Sequence, residues 1–234
     1  MCGFSGFLNF NPNWSDPLTL LQQMGNQLTH RGPDDSGVWF DNNCGVGLSH
    51  RRLSIIDLSE QGHQPMSSIS GRFMIAYNGE IYNHQGLKKE LLQSGVTFRG
   101  GSDTEVLLAA IEFWGLEKAL QRSVGMFAFS LWDKKEQMLS LVRDRMGEKP
   151  LYYGWQGKGA KRTFLFASEL KSLRQHPAWQ GGVDRDSLAN LLRYNYIPAP
   201  QSIHPGVFKL RPGHLLQLKK NDNGGWSERE ECWW

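Results

Sequence analysis

At 234 residues with a net charge of +3, the chain is long enough to bury a substantial core, and its 26 basic side chains are interleaved with 23 acidic ones, unlike the clustered stripe of a nucleic-acid binder. No apolar run approaches the ~18 to 20 residues that span a bilayer, and the first residues lack the basic and apolar stretches of a signal peptide, so no membrane is expected and the cytosol is the expected compartment. Cys2, Cys44 and Cys232 are odd in number and far apart, which excludes a disulfide framework or a zinc site of paired cysteines.

The first predicted strand covers residues 2–8. A helix follows Ser15-Asp16-Pro17, with Leu18, Leu21, Met24 and Leu28 on one side and Pro17 at a first helical position. Strands are predicted at 45–50 and 73–78, the second ending at Asn78-Gly79, and a helix at about 83–93. Ser102-Asp103-Thr104-Glu105 announces the next helix, because a serine cap and a glutamate three residues on can each satisfy a backbone N–H at its start. It continues apolar on most faces to Trp114, which predicts burial between layers.

Further strands are predicted at 126–132, 138–142, 151–153, 163–166 and 215–218, with a flexible hairpin loop at 156–162 and short helices after Ser168 and Asp184. Strands in hairpin-connected runs with helices between the runs argue for a layered α+β fold and against a parallel βαβ sheet. Residues 221–225 read as a turn or linker, and for Trp233-Trp234 a partner surface outside the chain is expected, since a globular domain seldom ends on two tryptophans.

Several residues could carry chemistry. Loss of Met1 would give Cys2 both a thiol and an α-amino group, a nucleophile and a base on one residue; the plain alternative is a small residue in a strand. Asn78-Gly79 reads as a turn, or as an amide beside a glycine N–H suited to an oxyanion, with Glu80 directly following. Arg51-Arg52 at a strand end is either a solvated pair or a carboxylate fork, and Asp103 either complements a helix dipole or faces an ammonium group. A free amino acid with an acyl side chain would use the whole set: arginine for its carboxylate, Glu80 and Asp103 for its ammonium, thiol and oxyanion donors for its amide. That amino acid is glutamine.

The amino-terminal Cys2-Gly3, the stretch from His30 to Gly37, Arg52-Leu53-Ser54-Ile55-Ile56-Asp57, Asn78-Gly79-Glu80-Ile81-Tyr82-Asn83, Ser102-Asp103-Thr104-Glu105 and Gly125-Met126-Phe127-Ala128-Phe129 together resemble the class II glutamine amidotransferase domain of asparagine synthase. The resemblance implies a four-layer αββα amino-terminal-nucleophile sandwich, two antiparallel sheets between helical layers. It makes Cys2 the nucleophile after removal of Met1, with its own amine as base, and gives the oxyanion to the Asn78 side chain and the Gly79 N–H. Arg52 would bind the glutamine carboxylate and Glu80 with Asp103 its ammonium, while the backbone of Leu53, Ser54, Ile55 and Ile56 lines the pocket.

The same resemblance implies a glutaminase domain over 1–220 and, over 221–234, a linker to a synthetase domain that lies outside this chain and acts in cis or in trans. No metal or cofactor is expected for the glutaminase domain; ATP and Mg belong to the synthetase domain. L-glutamine is the expected small-molecule partner, and a homodimer is a further expectation. Gln180-Gly181-Gly182-Val183-Asp184-Arg185-Asp186-Ser187 mimics an ATP-binding loop but lacks its leading serine and reads better as a turn into a helix. The stretch 143–150 and the aromatic tail are candidates for packing on the synthetase domain, a solvated charged loop being the alternative for the former. Two other functions stay open: a free-standing glutaminase or subunit feeding ammonia to another acceptor, and a non-catalytic glutamine-binding regulatory module.

Overall fold

The computed structural model describes residues 1–9, 16–55, 57–159, 162–221 and 225–234. In chain order the strands of the first half are β1 (Gly3–Leu8), β2 (Asp35–Asp41), β3 (Val46–Arg52), β4 (Met66–Ser67) and β5 (Phe73–Ile81), with helix α1 (Pro17–Asn26) after β1. Helices α2 (His84–Gln93), α3 (Asp103–Trp114) and α4 (Leu116–Arg122) follow, then β6 (Gly125–Asp133), β7 (Met138–Arg143), β8 (Tyr152–Gln156) and β9 (Thr163–Ala167). The chain continues through α5 (Leu170–Leu173), α6 (Arg185–Tyr194), β10 (Phe208–Lys209), β11 (His214–Lys220) and β12 (Trp226–Cys232).

These strands form two six-stranded antiparallel sheets, ordered β10-β8-β9-β1-β3-β2 and β12-β11-β7-β6-β5-β4. The two-residue period of each strand decides which side chains meet. Phe4 and Leu8 of β1, Val46 and Leu48 of β3, and Phe164 and Phe166 of β9 pack against Met74 and Ala76 of β5 and Leu139 and Leu141 of β7, which glues the sheets face to face. On the outer face of the first sheet, Phe7 and Leu165 meet Leu20, Leu21 and Met24 of α1. On the outer face of the second, Ile75, Tyr77, Phe127 and Phe129 meet Leu87 and Leu91 of α2 and the buried run Val106–Ile111 of α3. The result is the four-layer αββα sandwich that the family resemblance implies.

Local signals explain most element starts. Asp16 accepts a hydrogen bond from the Thr19 N–H at 2.7 Å with Pro17 behind it, and Asp184 caps α6 through the N–H groups of Asp186 and Ser187. The α1 stripe is shifted from the expected one: Leu18 is exposed and Leu20 buried. Ser102 caps α3 through the Glu105 N–H, but Glu105 does not complete a capping box; its carboxylate accepts from the N–H groups of Arg99 and Gly100 in the preceding loop.

Three expectations are corrected. Strand β5 does not stop at Asn78-Gly79 but stays in register with β6 to Ile81, paired with Gly125, so this pair is not a turn. Residues 226–232, expected in a linker, form β12, which pairs with β11 along its whole length; 222–224 of the expected turn lie outside the described residues. Trp233 needs no outside partner: it is buried, stacks on Phe127 at 6.1 Å between ring centroids and donates its indole N–H to the Arg143 carbonyl at 3.2 Å, whereas Trp234 is exposed. The 156–162 loop joins the β8–β9 hairpin, with residues 160–161 outside the described set.

Candidate active site

One end of the sandwich gathers most of the candidate residues. In β1 and β3 the pairing of Gly3 with Arg51 brings Cys2 beside Arg52, and even-numbered residues of both strands face the second sheet. In β5 the same parity turns Asn78, like Met74 and Ala76, toward the first sheet. Cys2, Arg52, Leu53, Ile55, Asn78, Gly79, Glu80 and Asp103 therefore line one cavity of about 100 Å³. Ser54 does not; its N–H donates to Asp34 Oδ2 at 2.8 Å and it borders a neighbouring recess, while Ile56 lies outside the described residues.

The thiol sits against the backbone of Leu53, whose N–H donates to Cys2 Sγ at 3.4 Å and whose carbonyl lies 3.6 Å from it. Burial pushes the Cys2 thiol up from its ordinary value, opposed by the Leu53 contact and the nearby positive charges of the terminus and Arg52. A thiol so placed is protonated at neutral pH and needs a base to become a nucleophile.

Asn78 is buried, and its Nδ2 has no hydrogen-bond partner among the described residues. A buried donor left free is costly unless a ligand supplies the acceptor. A second donor follows from strand geometry. Because β4 pairs only with Ile75 and Met74, the lateral edge of β5 beyond Tyr77 is free of strand partners. The Tyr77 N–H leaves that edge for Gln64 Oε1 at 2.7 Å and the Ile81 N–H for Asp103 Oδ2 at 2.9 Å. By the two-residue alternation the Gly79 N–H points the same way, and the opposite Phe127 confirms it, since both its backbone groups go to Asp144. A Cβ on Gly79 would lie 2.3 Å from the Met126 carbonyl, so only glycine fits there.

Asp103 is buried at the first turn of α3. Burial raises its pKa against the pull of its hydrogen bonds from the Ile81 N–H and the Tyr77 hydroxyl, the latter at 3.0 Å. Arg52 gives Nη1 to the Ser59 carbonyl at 3.0 Å and Nη2 to the Asp57 carbonyl, which fastens the loop after β3 and spends two of its five N–H donors. The space behind it requires a glycine: a Cβ on Gly62 would meet Arg52 Nη2 at 2.0 Å. Among the described residues no group of three His, Cys, Asp or Glu side chains is placed to hold a metal.

Four residues without a role assigned from sequence also build the site. Arg31 donates Nε to the Cys2 carbonyl at 2.8 Å and Nη1 to Glu169 at 2.9 Å, clamping the backbone of the thiol-bearing residue. Gln64 and Tyr77 position the β5 edge and Asp103, and Lys149 lines the cavity. The motif around His30-Arg31 signals the first; the others carry no local signal.

Beneath the site, His50 is fully buried with ring Nε2 at 2.9 Å from the Tyr77 carbonyl, so the neutral ring donates there, and burial drives its pKa down to about 4. Because the unfolded chain protonates this ring near its ordinary value of 6.5, its contribution to stability is complete above that pH and is lost as pH falls toward 4, at ~1.4 kcal/mol per pH unit. In denaturation curves taken from pH 7 to 4, His50→Gln, which keeps a donor for Tyr77, should show a shallower decline than the parent; equal slopes contradict this.

The sandwich superposes on glutamine phosphoribosylpyrophosphate amidotransferase from Bacillus subtilis with a TM-score of 0.67 over 100% of this chain and 49% of that one, at 19% identity, which speaks for fold alone. The chain belongs to the glutamine amidotransferase domain family, whose model matches residues 1–234. It is 37% identical over 229 residues to asparagine synthetase [glutamine-hydrolyzing] 3 and 40% identical over 223 residues to asparagine synthetase [glutamine-hydrolyzing] 1, both of Bacillus subtilis. These matches cover 97% and 94% of this chain but only 36% and 34% of the relatives, so the chain spans about a third of their length. No described helix is long and apolar enough to cross a membrane.

Proposed function

We propose that this chain hydrolyses L-glutamine to glutamate and ammonia through a thioester on Cys2, and that a synthetase domain in cis or in trans uses the ammonia to amidate aspartate in the cytosol. The observation that carries the reading is the free, buried Asn78 Nδ2 in the same cavity as the Cys2 thiol. Removal of Met1 frees the Cys2 amine, whose ordinary pKa of about 7.7 to 8.0 suits a base at neutral pH. The amine takes the thiol proton and the sulfur attacks the side-chain carbonyl carbon of glutamine. The oxyanion that forms is held by Asn78 Nδ2 and the Gly79 N–H. Collapse breaks the C–N bond, the departing nitrogen takes the proton from the amine, and water, activated by the same amine, hydrolyses the thioester.

Arg52 receives the substrate carboxylate with the N–H groups it keeps free, and Glu80 with Asp103 receives the ammonium. The aspartate-amidating half rests on the names of the relatives; ATP and Mg act in that domain and no residue of this chain is assigned to them. Asp103→Asn is expected to raise KM for glutamine by about tenfold or more while changing kcat little, because the ammonium contact is made alike in ground and transition states. Steady-state kinetics check this, and an unchanged KM removes Asp103 from the binding role. The acceptor is tested by supplying the purified chain, glutamine and a synthetase domain with aspartate and ATP: asparagine should form from the amide nitrogen of glutamine, and transfer to a different acceptor only would favour a free amidotransferase subunit.

A further inference from the structure

Lys149 stands on a densely hydrogen-bonded turn near the site. Asp144 accepts hydrogen bonds from the N–H groups of Phe127, Met146, Glu148 and Lys149 at 3.0 to 3.2 Å, and Arg143 donates to the carbonyls of Gly147, Lys149 and Leu210 at 2.6 to 2.8 Å. The stretch 143–150 is therefore not a solvated charged loop at its core: Asp144 is 1% and Lys149 5% exposed. Both backbone groups of Lys149 are pinned, and its side chain enters the cavity that Met1 and Cys2 line.

The ammonium has an unusual partner. Its hydrogen bond goes to Met1 Sδ at 3.5 Å, and among the described residues no carboxylate lies within ion-pairing distance of it. A buried ammonium without a carboxylate is costly, and an apolar side chain of similar shape would serve packing better. Removal of Met1 takes away the sulfur as well and leaves the charge in the cavity that Cys2 lines.

We propose that Lys149 is a positioning residue that keeps the α-amino group of Cys2 unprotonated, and so ready to act as base, by placing a fixed like charge in the same cavity. The proposal rests on the glutaminase reading for its consequence, not for its geometry. The other charged and titratable groups facing the cavity are the Cys2 thiol, Arg52, Asp57, Tyr77, Glu80 and Asp103. The three carboxylates favour the protonated amine, Tyr77 is held neutral by burial, and the Arg52 guanidinium is engaged by the carbonyls of Asp57 and Ser59. Arg52 keeps its charge and opposes the acids as well, and Lys149 adds a second cation among the described residues that line the cavity.

The test uses the full chain, with loss of Met1 confirmed by mass, labelled at the cysteine nitrogens. The Cys2 amine is titrated by NMR, and kcat/KM for glutamine is followed against pH, in the parent, Lys149→Met and Lys149→Arg. Lys149→Met should raise the amine pKa and the acid limb of kcat/KM together by about one pH unit, a roughly tenfold loss of activity below the limb, whereas Lys149→Arg should keep both at the parental position. An amine that titrates alike in the parent and Lys149→Met overturns the proposal, whatever happens to kcat. A shifted amine in a parent chain that does not hydrolyse glutamine upholds the role of Lys149 and refutes the glutaminase reading instead.

Discussion

Cys2→Ala should lower glutamine hydrolysis by more than about a thousandfold, because it removes the thiol that forms the covalent intermediate in the proposed reaction. The thiol is held between the N–H and carbonyl of Leu53, and its backbone carbonyl is clamped by Arg31 and, through it, Glu169. Burial raises its pKa, and in the proposed reaction the free amine of Cys2 supplies the base that takes its proton. Substitution to alanine leaves the Arg31 contact intact, since that contact is to backbone, and the fold should persist. Ammonia release from glutamine, measured beside a thermal unfolding curve, checks this: activity in Cys2→Ala close to the parent would exclude the thioester route.

Asn78→Ala should lower kcat by about 10² to 10³ with little change in KM, the loss typical of one oxyanion donor. The side chain faces the gap between the sheets where Cys2 leads into β1, and its Nδ2 forms no hydrogen bond among the described residues that the substitution could break. Stability should therefore change little, or rise slightly as an unsatisfied buried donor is removed. A fall in kcat with an unchanged unfolding midpoint supports the assignment. A fall in stability that accounts for the lost activity, or a rise in KM alone, assigns Asn78 to structure or to ground-state binding.

Much of this site was legible in the sequence because its residues sit at the ends of strongly patterned strands. The alternation Phe4, Gly6, Leu8 sets the face on which Cys2 lies, and the run from Phe73 to Tyr77 does the same for Asn78. The ordered motifs supplied the rest of the set, and the structure gathers Cys2, Arg52, Asn78, Gly79, Glu80 and Asp103 into one cavity. What local pattern could not show is where backbone groups point. Asn-Gly is a common turn signal, and only the pairing of β5 with β6 through Ile81, together with the shortness of β4, reveals that Gly79 keeps its N–H on an open strand edge.

Other omissions have equally physical causes. Strand β12, Trp-Ser-Glu-Arg-Glu-Glu-Cys, is an edge strand whose charged side chains face water, so it lacks the apolar alternation by which strands are recognised. Strand β2 is half-exposed along its length for the same reason and opens with the turn-like Asp35-Ser36-Gly37. Helix α4 is seven residues long and separated from α3 only by Gly115, whose positive φ of 84° turns the chain. Lys149 and Gln64 act through long-range contacts that no spacing rule encodes. Trp233 misled because an aromatic near a chain end looks unpartnered until Phe127, more than a hundred residues earlier in sequence, is seen to cover it.

The central claim is that the residue at position 2 becomes both nucleophile and base once Met1 is gone. The most direct measurement is mass spectrometry of the protein quenched in acid during turnover with glutamine, intact and after proteolysis. The account predicts a chain that starts at Cys2 and carries a transient glutamyl group on that residue, absent from Cys2→Ala. A chain that turns over glutamine while retaining Met1, or a glutamyl group found on any residue other than Cys2, would contradict it.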